Sequence, residues 1–133
     1  MLRFAIVTVL AISPVAASAQ GLFFRSKLPV NPISTDSFEV IEAYGEGSSG
    51  IWCAAASYTI RTLGKNRGRL YIERPRGPSV TQAGRKGVVF STKPIPGVEG
   101  TKNKSIKKIG ANLSIAFAIQ FCRDNIIEPG DKF

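Results

Sequence analysis

The chain has 133 residues, 18 basic against 9 acidic, a net charge of +9 and no histidine. That length suits one domain rather than two. The missing His removes Ser-His-Asp and Cys-His nucleophilic sites and His-based acid–base catalysis. With only two Cys as well, a structural zinc site is close to excluded, and neither a metal nor a cofactor is expected.

Residues 1–19 read as a secretory signal peptide. Met1-Leu2-Arg3 is a short positive segment, residues 4–17 (FAIVTVLAISPVAA) are an apolar run, and Ala17-Ser18-Ala19 is an A-x-A cleavage site. A membrane anchor is the weaker reading, because Pro14 interrupts a run shorter than the roughly 20 residues a spanning helix needs. Cleavage after Ala19 removes one Arg and leaves 114 residues with net charge +8, periplasmic or secreted by Sec-type export and without an anchor. In that oxidising setting two Cys read as one Cys53–Cys122 disulfide, with two free thiols as the competing reading.

Residues 20–37 (QGLFFRSKLPVNPISTDS) have two Pro and no lasting period, which predicts an extended arm whose Phe23-Phe24 pair folds back on the domain. Residues 38–44 (FEVIEAY) predict a first strand. Residues 45–50 (GEGSSG) turn the chain, and Ser48 or Ser49 offers a helix cap. Residues 51–63 predict the only helix. Its stripe of Trp52, Ala55 or Ala56, Thr59 and Leu63 faces the core, and Gly64 stands beyond its end. Residues 70–74 (LYIER) predict a second strand stopped by Pro75, and residues 87–91 (GVVFS) a third.

Residues 113–123 (LSIAFAIQFCR) alternate cleanly, with Leu113, Ile115, Phe117, Ile119 and Phe121 on one face, and predict a long fourth strand. Residues 125–133 are a polar tail. The whole predicts a single α+β domain over 38–124: a small antiparallel sheet of about four strands with one helix packed on it, stapled by the disulfide.

Three features bear on function. Gly45-Glu46-Gly47-Ser48-Ser49-Gly50 is a literal G-x-G-x-x-G between a strand and a helix, with Glu73 downstream. The chain is too short for two βαβ halves, and strand one carries Glu39 and Glu42 where a buried parallel strand would be apolar. The motif therefore reads as a turn. The second feature is charge: residues 61–108 hold 13 basic and two acidic residues. That asymmetry points to an anionic partner, with Arg67, Arg69, Arg74, Arg76, Arg85 and Lys86 as candidate anion-binding residues. The candidates are an anionic envelope polymer, a lipid headgroup or an acidic protein. Nucleic acid is not favoured, because no aromatic residues interleave the charges to stack on bases. Charge for solubility alone is the competing reading.

The third feature is the set of carboxylates. Glu42 or Glu46 with Glu73 is the one pair worth inspecting for a His-free hydrolase; otherwise no catalytic residue is assigned. A further alternative is an inhibitor of an envelope enzyme that inserts a Pro/Gly loop, residues 75–78 or 93–97. The leading expectation is a non-enzymatic exported basic protein.

The signal peptide, the I-W-C-A-A-A-S-Y helix, the Y-I-E-R-P-R-G-P-S stretch and the late second Cys together resemble small exported proteins of alphaproteobacteria. The resemblance implies an exported compartment and carries over no activity.

Overall fold

The structure, a computed structural model, describes residues 26–101 and 103–123. The expected signal peptide, the Phe23-Phe24 pair and the C-terminal tail lie outside the described residues. The elements in chain order are β1 (Val30–Pro32), β2 (Ser37–Ile41), α1 (Gly47–Arg61), β3 (Arg69–Pro78), β4 (Lys86–Ser91), β5 (Asn112–Ser114), α2 (Ile115–Ala118) and a 3-10 turn (Ile119–Cys122). The strands form one antiparallel sheet in the order β1-β2-β4-β3-β5. The fold is α+β with a Cys53–Cys122 disulfide, as the sequence predicts.

Alternation along the strands sends Phe38 and Val40, Leu70 and Ile72, Val88 and Phe90 to one face of the sheet, where α1 covers them. The run of Ala54, Ala55 and Ala56 carries little bulk, so the helix backbone can lie close to its neighbours. Trp52 is fully buried with its ring edge-on to Phe90 at 5.0 Å, and Phe90 stacks on Phe38 at 5.9 Å. The indole N–H of Trp52 donates to the Lys104 carbonyl at 2.9 Å, which draws the loop before β5 over the helix start.

The expected stripe is wider than one face: α1 is buried from Gly50 through Ser57. The reason is a second set of partners. α2 and the 3-10 turn pack against α1 on the side the sheet leaves uncovered, and Cys122 is tied there to Cys53.

Here the structure corrects the sequence reading of residues 113–123. Only Asn112–Ser114 is strand; the rest is helical. The Ser114 side chain accepts from the Phe117 amide and starts the helix. The segment contains a helical period alongside the alternating one: Ile115, Ala118 and Cys122 are buried and Ile119 half-buried, at i, i+3, i+7 and i+4. Tethering Cys122 to α1 selects that period. Phe117, which the strand would have placed in the core, is 43% exposed.

Three smaller differences follow from local chemistry. α1 starts four residues before its expected start, with Glu46 at the cap position and no side-chain cap from Ser48 or Ser49. β3 runs through Pro75 to Pro78, because register shifts between Ile72 and Arg74 and between Arg74 and Gly77 let the strand continue where Pro75 supplies no donor. Part of the expected arm adds β1 to the sheet edge.

Candidate functional site

The sheet face turned away from α1 is organised by a carboxylate. Glu39, in the middle of β2, points to that face and is 1% exposed. The β3–β4 hairpin loop folds across it. Glu39 Oε1 accepts from the Ser79 hydroxyl at 2.6 Å, the Thr81 hydroxyl at 2.5 Å and the Thr81 amide at 3.1 Å, and Oε2 accepts from the Val80 amide at 2.9 Å. Thr81 Oγ1 also accepts from the Asn31 side chain of β1 at 2.9 Å, so the loop reaches the sheet edge. Burial alone would raise the pKa of Glu39; the hydroxyls and amides around it outweigh that and hold it below the ordinary value.

This anchor fixes the hairpin that carries four of the six predicted anion-binding residues: Arg74, Arg76, Arg85 and Lys86. Two of the four are already engaged. Arg76 clamps the Glu42 carboxylate through Nε and Nη2, and Arg85 donates to the Glu42 carbonyl at 3.1 Å. The Arg76 clamp is the main reason that Glu42 titrates below its ordinary value, with Lys86 contributing. The Arg74 side chain is exposed and makes no hydrogen bond or ion pair among the described residues.

The topology adds two lysines. The Arg76 amide donates to the Ile106 carbonyl at 2.9 Å, and the Gly110 amide to the Ile72 carbonyl at 2.8 Å. Residues 107–109 therefore run beside residues 73–75 of β3. Lys107 and Lys108, both exposed, join Arg74 along that edge, with Glu73 as the acidic neighbour.

Arg67 and Arg69 do not belong to this group. Arg69 lies at the opposite end of β3, seven residues from Arg76, or about 20 Å along a strand. Its Nε donates to Asn112 Oδ1 at 2.7 Å and its Nη2 to the Asn112 carbonyl at 3.3 Å. Arg67 is exposed in the turn before β3.

The other sequence features resolve as follows. In the glycine-rich turn Tyr44, Gly45 and Gly47 have positive φ, 58°, 65° and 65°, so the segment is a sharp left-handed entry to α1. Lys104 Nζ donates to the Ser49 hydroxyl at that helix start. Of the carboxylates considered for hydrolysis, Glu42 is held ionised by Arg76, the opposite of what a general acid requires. Glu46 folds back on Gly50, where a Cβ would stand 2.6 Å from its Oε2. Residues 75–78, one of the two candidate inserting loops, are the outer part of β3 and not a loop. Among the described residues no group of three His, Cys, Asp or Glu could hold a metal ion, and no helix is long and apolar enough to cross a membrane.

In the sequence Glu39 stands out as an acid in the first strand that argues against a buried parallel strand. Its signal was present as an acid inside an apolar run, with Ser79 and Thr81 clustered in the turn that closes on it. Lys107 and Lys108 belonged to the basic run, but only the Arg76–Ile106 pairing brings them beside Arg74. No family model, curated protein or solved structure matches the chain.

Proposed function

We propose that this is a non-enzymatic exported basic protein that binds an anionic envelope component or an acidic partner through the β3–β4 hairpin. The observation that carries the reading is the placement of Lys107 and Lys108 beside Arg74, with Glu73 as the exposed acidic neighbour among the described residues. Like charges gathered on a rigid edge repel one another. Their field is relieved when an anion lies across them. The hairpin loop is tied to the buried Glu39, and the Lys107–Lys108 segment is held to β3 by the backbone bonds at Ile106 and Gly110, so the charges are presented without first ordering a flexible segment. Arg76 and Arg85 serve the scaffold by holding Glu42, and Arg67 and Arg69 lie outside the patch. The disulfide fits an oxidising compartment, as export requires.

The test is a pull-down from envelope extract with the wild type, an Arg74→Glu/Lys107→Glu/Lys108→Glu variant and an Arg67→Glu variant. Binding that falls as salt rises, is lost in the triple variant and survives in Arg67→Glu is the expected result. Undiminished capture by the triple variant, or capture indifferent to salt, overturns the reading.

A further inference from the structure

A second site lies at the other end of β3. There a groove of about 390 Å³ is lined by Arg69, Thr101, Leu113, Ser114 and Phe117. That volume falls within the range of small-molecule sites, about 300–1,000 Å³. Its polar end is built around a fixed guanidinium. Arg69 is half-buried and held by Asn112, which is itself buried. The Asn112 amide donates at 2.8 Å to both the Glu99 and Gly110 carbonyls, so it cannot swing away. The loop backbone lies against the guanidinium: a Cβ on Gly100 would stand 2.9 Å from Arg69 Nη2.

The partners of Arg69 are all neutral. Asn112 supplies two oxygens, and no carboxylate lies within ion-pair distance among the described residues. Nη1 makes no hydrogen bond among the described residues. A half-buried cation without a counter-charge is costly, and an incoming anion recovers that cost. Beside it the Ser114 hydroxyl accepts from the Phe117 amide at 3.1 Å, which leaves its proton for a ligand oxygen. The Thr101 hydroxyl is turned to the Asn112 carbonyl at 2.7 Å, and the rest of the lining is apolar. Leu113 forms the floor, and Phe117, held edge-on by Phe121 at 5.5 Å, stands 43% exposed at the wall.

We propose that this groove binds a small carboxylate with an apolar body. The carboxylate sits on Arg69 and Ser114, and the chain or ring lies on Leu113 and Phe117. The site is independent of the hairpin patch, and its occupant differs from a polyanion in needing both halves.

The experiment is an amide NMR titration of the oxidised protein with octanoate, octanol and inorganic phosphate. Octanoate is expected to shift residues 69, 101 and 113–117 to saturation. Octanol should bind about tenfold more weakly, because it lacks the charge that Arg69 recognises. Phosphate should give no saturable shift, because it has no apolar body. Phe117→Glu, a change at a solvent-facing position, puts a carboxylate beside Arg69; it should weaken octanoate at least about tenfold while the thermal midpoint stays close to wild type. Lys107→Glu/Lys108→Glu should bind octanoate as the wild type does. No saturable shift with octanoate, equal binding of octanol, phosphate reproducing the shifts, or full binding by Phe117→Glu would each overturn the proposal.

Discussion

The Glu39 carboxylate fills the space that a side chain at position 87 would need: a Cβ on Gly87 would stand 2.8 Å from Glu39 Oε2. The two residues are diagonal neighbours on β2 and β4: Glu39 lies opposite Val89, and Gly87 opposite Ile41. The absent side chain on one strand is what allows the other to bury an acid.

Gly87→Ala should therefore displace the carboxylate from the hairpin loop and destabilise the fold by about 1–3 kcal/mol, the range for overpacking a filled site. Glu39→Ala should cost at least as much, on the order of 2–4 kcal/mol, because two amides and two hydroxyls lose their acceptor at once. Urea denaturation of both variants checks this. Wild-type midpoints would show that the loop is not held by Glu39.

Acid should erode stability through three carboxylates. In Glu39 the surrounding donors overcome burial; in Glu42 the Arg76 clamp, and in Asp36 the Lys93 ammonium, are the largest influences holding the pKa down. A carboxylate whose folded pKa lies below its unfolded one contributes stability above the unfolded value. That contribution is lost as pH falls through the folded value. Stability is thus expected to be level above about pH 5 and to decline below about pH 4. Glu39→Gln should start lower and decline less steeply. Urea midpoints measured across that range decide it, and an equally steep decline in Glu39→Gln would remove Glu39 from the account.

Reduction of the disulfide should cost about 4 kcal/mol in the chain-entropy model, given the separation of 69 residues between Cys53 and Cys122. The loss should be felt first in α2 and the 3-10 turn, which have the shortest helical runs and rest on α1. Hydrogen exchange in reduced and oxidised protein would show it, as faster exchange at residues 115–122 while β2 and β4 stay protected. Uniform loss of protection would instead mean that the staple supports the whole domain.

Trp52→Phe should destabilise by on the order of 1–3 kcal/mol, because the Lys104 carbonyl loses its indole donor and the ring leaves a void against Phe90. Thermal melts give the size. A shift in the amides of residues 103–105 tests whether the indole positions that loop.

The sequence was most legible where a single period ruled. Phe38-Glu39-Val40 alternates, the β-branched pair Val88-Val89 before Phe90 favours extended backbone, and both strands start within a residue of the expected position. It was least legible where two periods shared residues. Ile115 and Ile119 satisfy both a strand and a helix, and the choice was made by contacts distant in the chain: Cys53 for Cys122, and α1 for the buried stripe. β1 is three residues ending in Pro32, too short to carry a pattern and stable only because β2 pairs with it. Of the candidate residues in the hairpin, the Arg74 and Lys86 side chains make no hydrogen bond or ion pair among the described residues. Arg76 and Arg85 are held by Glu42, a pairing that composition does not reveal because they stand 34 and 43 residues from it.

The strand order also sets a timetable. β2 has β4 as its inner neighbour, and α1 and all of β3 are made between them. A chain emerging from its N-terminus can form the β1–β2 pair early, yet β2 must wait for residues 86–91 before its other edge is closed. The edge strand β5 and the partner of Cys53 arrive later still. Such non-local closure is slow compared with helix formation. A chain with this order is thus obliged to stay open until nearly all of it is available, and the last cysteine to arrive is the one that locks the first helix in place.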